Sequence, residues 1–357
     1  MIGKVLAMSD LIVNFDFVGS CRGSCPSCTL SEFEREQPVS FMTGGQMKMA
    51  LSMAVGSQRP DFLAVGVGRG NNLALEHSEH SHIFDLTAHM AKVAPQARRV
   101  MEISTSLVEA PAKQRENAIR LADGCAQSDP AGEARFVVVL DVSKTSSGYW
   151  TAIESFMRWM HEHRGGEDGQ GDILSLNLSV KHLPNPSDVY RRVSYWRGPV
   201  NVQWLAYGQG AVSPDDLLAG QAWIARFADL ADRGGLDCNL LNVGRLATSH
   251  AGVSPIEAIK SQNRRLIWVD RTGAVRPGVF TMVGDYIIEN ANIPVRALST
   301  MMRNTTCSSC AKIGACIQAG GYAPAFEVLK VMGSSGLACP ALVRDCLESD
   351  LMGTTNV

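Results

Sequence analysis

Three cysteines fall within Cys21-Arg-Gly-Ser-Cys25-Pro-Ser-Cys28, spaced C-x3-C-x2-C, and no fourth cysteine occurs before Cys125. Four thiolates close a tetrahedral zinc site or saturate an iron–sulfur cubane. Three thiolates on a [4Fe–4S] cluster leave one iron open, and an open iron can take a substrate or a cofactor. The competing reading is a zinc knob that borrows a distant ligand. A second group stands near the other end, Cys307-Ser-Ser-Cys310-Ala-Lys-Ile-Gly-Ala-Cys316, followed by Cys339-Pro340. C-x2-C-x5-C is again cluster spacing, and cysteine followed by proline is a feature of ferredoxin ligands. A structural zinc held by the same four cysteines is the alternative.

The elements around the first group alternate. An apolar run over 11–18 predicts a strand directly before the cysteines. Further strands are predicted over 61–67, 99–104, 136–141, 173–178, 200–205 and 239–243. Helical patterns lie between them over 46–55, 83–93, 111–121, 149–161, 186–196 and 215–230, the third ending at Asp123-Gly124. Short apolar strands alternating with longer helices imply βαβ units and a parallel sheet. At least six such units in series suggest an open or closed (β/α) barrel, whose sites gather at the carboxyl ends of the strands. Those ends carry Asp16, residues 66–71, Glu102, Asp141, Ser143, Lys144, Asn177, Ser179, Lys181, Gln203, Tyr207 and Asn242. Beyond about residue 250 the alternation stops. The expected division is therefore a barrel over 1–249 and a second, cysteine-rich module over 250–357 that opens with a β-hairpin at 266–278, turning at Thr272-Gly273.

C-x3-C-x2-C directly after a first strand resembles the signature of the radical SAM enzymes. The resemblance implies a partial (β/α)6 barrel and a catalytic [4Fe–4S] cluster on Cys21, Cys25 and Cys28. It also implies S-adenosylmethionine bound through its amino and carboxylate groups at the open iron. Reductive cleavage would release a 5′-deoxyadenosyl radical that takes hydrogen from an unactivated carbon. The family's aromatic residue before the third cysteine is Ser27 here, so the adenine contact is expected elsewhere. The family binds the methionine amino group on a Gly-Gly-Glu-like segment after the second strand. Gly66-Val-Gly68-Arg-Gly70-Asn71 stands at that place without an acidic residue directly following, Glu76 being the nearest. Gly66, Gly68 and Gly70 are the candidates there, against a plain tight turn; Ser143, Lys144, Asn177 and Ser179 are the candidates for the ribose and carboxylate, against strand-end capping.

The second group resembles the SPASM or twitch extension of the same family. The family's hairpin cysteine is replaced by Gly278, and the cysteine four after Cys316 by Gly320. The resemblance implies one auxiliary [4Fe–4S] cluster lost and one kept on Cys307, Cys310, Cys316 and Cys339, with Cys346 as the alternative fourth ligand. Such a cluster suits electron transfer or structure. The implied activity is net oxidation or cross-linking of a peptide or protein, with a reductant such as flavodoxin or ferredoxin. The first motif starts at position 21, so a leader-recognition domain is not expected and a peptide would need a recognition partner or direct binding. The alternatives are dehydrogenation or rearrangement of a small sugar or cofactor precursor, and a non-catalytic iron–sulfur or zinc scaffold.

The totals narrow the field. At 357 residues with 45% apolar and 19% charged residues, the chain matches a packed α/β protein. A net charge of −2 makes no electrostatic case for nucleic acid or an anionic membrane. No apolar run reaches the length of a membrane span. Six of the ten cysteines sit in the two tight groups, which is ligand spacing more than disulfide spacing and points to a reducing cytoplasm. Cys125 is expected to be buried, Cys238 is unassigned, and the histidine-rich stretch Glu76-His77-Ser-Glu79-His80-Ser-His82 is expected to be a solvated helix start in preference to a metal site.

Overall fold

Along the first strand, β1 (Asp10–Asp16), Leu11, Val13 and Phe15 are buried while Ile12 and Asn14 are only half covered. This period of two leaves one face packed and the other, termed the inner face, less covered. The computed structural model describes residues 10–16, 42–56, 59–68, 71–76, 78–106, 111–144, 146–164, 171–179, 182–196, 198–205, 214–240, 266–269 and 273–277. They form two units.

The first unit covers described residues within Met1–Cys21, Glu36–Val137 and Asn263–Gly278. It holds β1, β2 (Phe62–Gly68) and β3 (Arg98–Ser106), and the short β8 (Leu266–Val269) and β9 (Val275–Pro277). Strand β1 pairs in parallel with β2 on one side and β8 on the other, and β2 pairs in parallel with β3. The hairpin read at 266–278 forms as β8 antiparallel to β9, with Gly273 at φ 82°, a conformation that glycine adopts without steric cost. Its β8 arm extends the sheet beside β1. The expected boundary at 249/250 lies outside the described residues.

Helix α1 (Gly44–Val55) begins two residues before its apolar pattern, because Thr43 and Gln46 form a reciprocal capping box of 2.9 and 3.3 Å. Helix α2 (His80–Val93) buries His80, Ile83, Leu86, Thr87 and Met90 at helical spacing. The solvated helix start expected here is thus corrected at His80, which is fully buried with its ring edge-on to Phe84, centroids 6.3 Å apart. Helix α3 (Pro111–Ser128) also departs from expectation, since it runs through Asp123-Gly124 instead of stopping there. A side chain at Gly124 would strike the ring of Phe84 on α2, so the glycine serves helix–helix contact and not chain termination.

The second unit covers described residues within Val138–Gln262. Its strands β5 (Ile173–Ser179), β6 (Val200–Leu205) and β7 (Cys238–Leu240) are parallel in that order. Helices α4 (Ser147–Arg164), α5 (Pro186–Val193) and α6 (Pro214–Arg233) alternate with them. Asn185 caps α5 by accepting from Ser187 N at 2.9 Å, ahead of Pro186 in the first turn. Trp223 of α6 stacks on Phe227 and donates its indole N–H to the Pro184 carbonyl at 2.7 Å. Strand β4 (Glu133–Asp141) contains the division between the units. The parallel α/β architecture expected from the alternation is the one observed.

One buried charge in the first unit is fully met. The Arg99 guanidinium bonds both Asp129 carboxylate oxygens at 2.6 and 3.0 Å and the carbonyls of Ala94, Pro95 and Ala97 at 2.8 to 3.2 Å. Those bonds from Arg99 hold the Asp129 carboxyl below the ordinary aspartate range. Its folded pKa is depressed, so the stabilisation is present above the unfolded value of about 3.9 and is lost as pH falls through the folded one. Asp129→Ala should cost about 3–5 kcal/mol in denaturant unfolding at neutral pH. The gap to wild type should narrow below about pH 4; a pH-independent gap would assign the loss to packing.

Candidate active site

In the first unit the strand ends are shaped by amide side chains that hold the backbone. Asn72 lies fully buried in a 3-10 turn (Asn72–Ala74) just past β2. Its Nδ2 donates to the Val67 carbonyl of β2 at 3.0 Å and the Ser104 carbonyl of β3 at 2.6 Å. Asn71 Oδ1 accepts from Thr105 Oγ1 at 2.5 Å. Asn117 of α3 donates to the carbonyls of Leu73 and Leu75 at 2.8 and 3.2 Å. The segment after the glycines is therefore held to two strands and a helix. Sequence reading passed over Asn72 and Asn117; the available signal was an Asn-Asn pair where an apolar helix start would be ordinary.

Gly66 and Gly68 end β2, the candidates for close backbone approach. Gly66 pairs with Asn14 of β1 on one side and Glu102 of β3 on the other. A side chain at Gly66 would collide with the Asn14 amide, and one at Gly68 would touch Ser104 Oγ at 3.4 Å. Cross-strand partners share a face, so Asn14, Gly66 and Glu102 form one row on the inner face. Arg135 of β4 reaches that row, its Nη1 3.5 Å from Glu102 Oε1. Burial pushes the Glu102 carboxyl up, and the Arg135 guanidinium pulls it only partly back. Glu102 was expected as a strand-end residue; Asn14 and Arg135 were not.

In the second unit the end of β4 makes a tight turn. Asp141 Oδ1 accepts from the Ser143 amide at 3.0 Å and from the Ser143 hydroxyl. The Tyr149 hydroxyl accepts from Asp141 N at 3.2 Å, and the Lys144 carbonyl accepts from the Trp150 indole at 2.7 Å. The Lys144 ammonium sits over the Tyr149 ring, 4.6 Å from its centroid. Asn177 accepts from Val142 N at 3.2 Å through its backbone carbonyl and pairs with Gln203, while Ser179 pairs with Leu205. Ser143, Lys144 and Asn177 thus gather around the β4–α4 turn.

Cys21, Cys25 and Cys28, Gly70, and the auxiliary set Cys307, Cys310, Cys316, Cys339 and Cys346 lie outside the described residues, as do His77, Lys181, Tyr207 and Asn242. Among the described residues no group of three or more His, Cys, Asp or Glu is placed to hold a metal ion. Cys125 is buried as expected and accepts from Thr87 Oγ1 at 3.5 Å. None of the described helices is long and apolar enough to cross a membrane.

No protein-family model matches this chain, and no curated protein matches it in sequence. Solved structures do. Native anSMEcpe with bound AdoMet aligns at a TM-score of 0.58 and 10% identity, over 97% of this chain and 100% of that one. Native anSMEcpe with bound AdoMet and Cp18Cys peptide aligns at 0.56 and 9% identity, over 96% of each chain. A histidine-tagged form of anSMEcpe with bound AdoMet gives 0.57 at 10% identity, over 97% of this chain and 96% of that one. The chain therefore shares its fold with an AdoMet-binding protein.

Asn72→Leu keeps the branching at Cγ and removes both bonds to the strand carbonyls. It should cost about 1–3 kcal/mol for each carbonyl left buried without a donor. Faster amide exchange confined to the end of β2 and its turn would bear this out; an unchanged melting curve and exchange pattern would contradict it.

Proposed function

We propose that this chain is a radical SAM enzyme that cleaves S-adenosylmethionine reductively and oxidises or cross-links a peptide or protein substrate. The observation that carries the reading is the C-x3-C-x2-C motif, which begins at Cys21, five residues past the end of a strand in a parallel α/β fold shared with AdoMet-bound anSMEcpe. The donor set fits the group. Three soft thiolates suit iron–sulfur ligation and leave one iron open. Bound there, a reduced [4Fe–4S] cluster supplies the electron that splits S-adenosylmethionine into methionine and a 5′-deoxyadenosyl radical.

The chain's own residues would bind and orient. The backbone at Gly66, Gly68 and Gly70 offers close approach for the methionine amino group, and the Asn72 bonds hold that segment in place. Lys144, beside Ser143 and Asn177, offers a cation for the carboxylate and donors for the ribose. A peptide substrate is supported by the Cp18Cys peptide that anSMEcpe holds in one of the aligned structures. The finer architecture proposed is a partial (β/α)6 barrel over 1–249 and a SPASM/twitch-like module over 250–357. The latter would carry one auxiliary [4Fe–4S] cluster on Cys307, Cys310, Cys316 and Cys339, with Cys346 as the alternative fourth ligand. Its role would be to take the electron that the substrate radical gives up. A flavodoxin or ferredoxin in a reducing cytoplasm would supply the first electron.

The test is iron and sulfide content after anaerobic reconstitution, on wild type and on the Cys21/Cys25/Cys28→Ala variant, together with 5′-deoxyadenosine release. Two cubanes predict about eight irons in wild type and about four in the variant, with 5′-deoxyadenosine formed by wild type alone. About four irons against none would remove the auxiliary cluster. No iron in either would leave a zinc scaffold and sink the enzyme reading.

A further inference from the structure

The row on the inner face of the first unit holds a guanidinium whose donors are scarcely used. Arg135 is 19% exposed and Glu102 24%, yet their one close approach is 3.5 Å, longer than a sound hydrogen bond. Arginine carries five N–H donors. The Nε of Arg135 is buried and meets no acceptor among the described residues. Two other covered arginines are better met: Arg99 has every nitrogen bonded, and Arg164 grips Asp172 at 3.0 and 3.3 Å. Glu133, two residues before Arg135, is already held by Arg98 at 2.9 and 3.0 Å and feels Arg135 only through space. A guanidinium largely removed from water with one loosely held partner is costly, whereas Arg99, a structural arginine in the same unit, is satisfied at every nitrogen.

We propose that Arg135 and Glu102 form an anion-receiving subsite on the inner face of the first unit, which holds a carboxylate of the substrate. The guanidinium fork matches a carboxylate bidentately. The Asn14 amide, lying across Gly66 in the same row, adds a neutral donor. A doubly charged phosphate suits the place less well, because the Glu102 carboxyl faces it. The proposal rests on the reading above, in that the inner face is taken as the side turned to substrate. It narrows that reading to peptides presenting an acidic side chain or a free C-terminus.

The test is arginine-directed labelling of the anaerobically reconstituted full chain with phenylglyoxal, followed by peptide mass spectrometry. Nα-acetylglutamate α-amide and Nα-acetylglutamine α-amide serve as probes that differ only in charge. Arg135 should label, and the glutamate probe should slow its labelling by about fivefold or more while the glutamine probe does not. Arg99, saturated and buried, should stay unlabelled and reports an intact fold. In Glu102→Gln the permanently neutral neighbour should strengthen the protection. Equal effects of the two probes, an unreactive Arg135, or protection lost in Glu102→Gln would each overturn the proposal. Protection by S-adenosylmethionine alone would give the subsite to the cofactor's own carboxylate and overturn the substrate assignment. Release of 5′-deoxyadenosine without substrate, measured on the same preparation, tests the radical reading separately: cleavage without protection sinks only the subsite, and protection without cleavage sinks only the radical chemistry.

Discussion

Parallel pairing is the constraint on which the candidate site depends. When β1, β2 and β3 run the same way, their carboxyl ends lie at one edge, and every segment that leaves them starts there. Asp16 is opposite Gly68 in this register, so the chain that leads to the first cysteines departs beside the glycine end of β2. A slip by one residue would turn Asn14 of β1 to the helix side and put Val13 or Phe15 in its place, and the same slip in β3 would replace Glu102 by Met101 or Ile103. The fully buried Leu11, Val13, Phe15, Val65, Val67, Met101 and Ile103 oppose that slip, because each would lose its packed surroundings. Burying a Val, Leu, Ile, Phe or Met side chain is worth about 1.5–3 kcal/mol. The apolar face thus sets the register, and the register places the polar row.

What the sequence shows of this, and what it hides, divides by range. The βαβ alternation is legible because period and apolar content are local. The cysteine groups are legible because a cluster needs ligands at short spacing. Helix starts are less so: Thr43 and Gln46 move the start of α1 ahead of its first apolar residue, which only the cap reveals. Gly124 looks like a stop signal in isolation and is a contact in the fold, since Phe84 comes from a different helix. His80 looks like part of a polar stretch and is core for the same reason. The row of Asn14, Gly66 and Glu102 joins three strands separated by helices, so nothing in any one segment announces it. Gly66 was legible as an approach point; that the group approaching it is the Asn14 amide was not.

How the buried polar groups of the described residues are matched bears on function. On the helix side and in the strand-end turns the main bonds are made, Arg99 with Asp129, Thr105 with Asn71 Oδ1 and Asn117 with two carbonyls, although Asn71 Nδ2, Asn72 Oδ1 and Gln114 Nε2 meet no hydrogen-bond partner among the described residues. On the inner face of the first unit the buried Arg135 Nε and Ser106 Oγ meet no protein acceptor or donor among the described residues. In the second unit Ser175 is fully buried with its hydroxyl likewise unmatched. A parallel sheet with both faces covered by its own chain is expected to be apolar on both. Replacing such groups by apolar ones would raise stability, because each unmet buried polar atom costs about 1–3 kcal/mol. Ala64 and Val100 close part of that face, and at Asn14, Glu102, Ser104 and Ser106 the same strands carry polar groups instead. Polar side chains at adjoining positions of one face, with Arg135 Nε and Ser106 Oγ unmatched there, are what a site for a polar ligand requires.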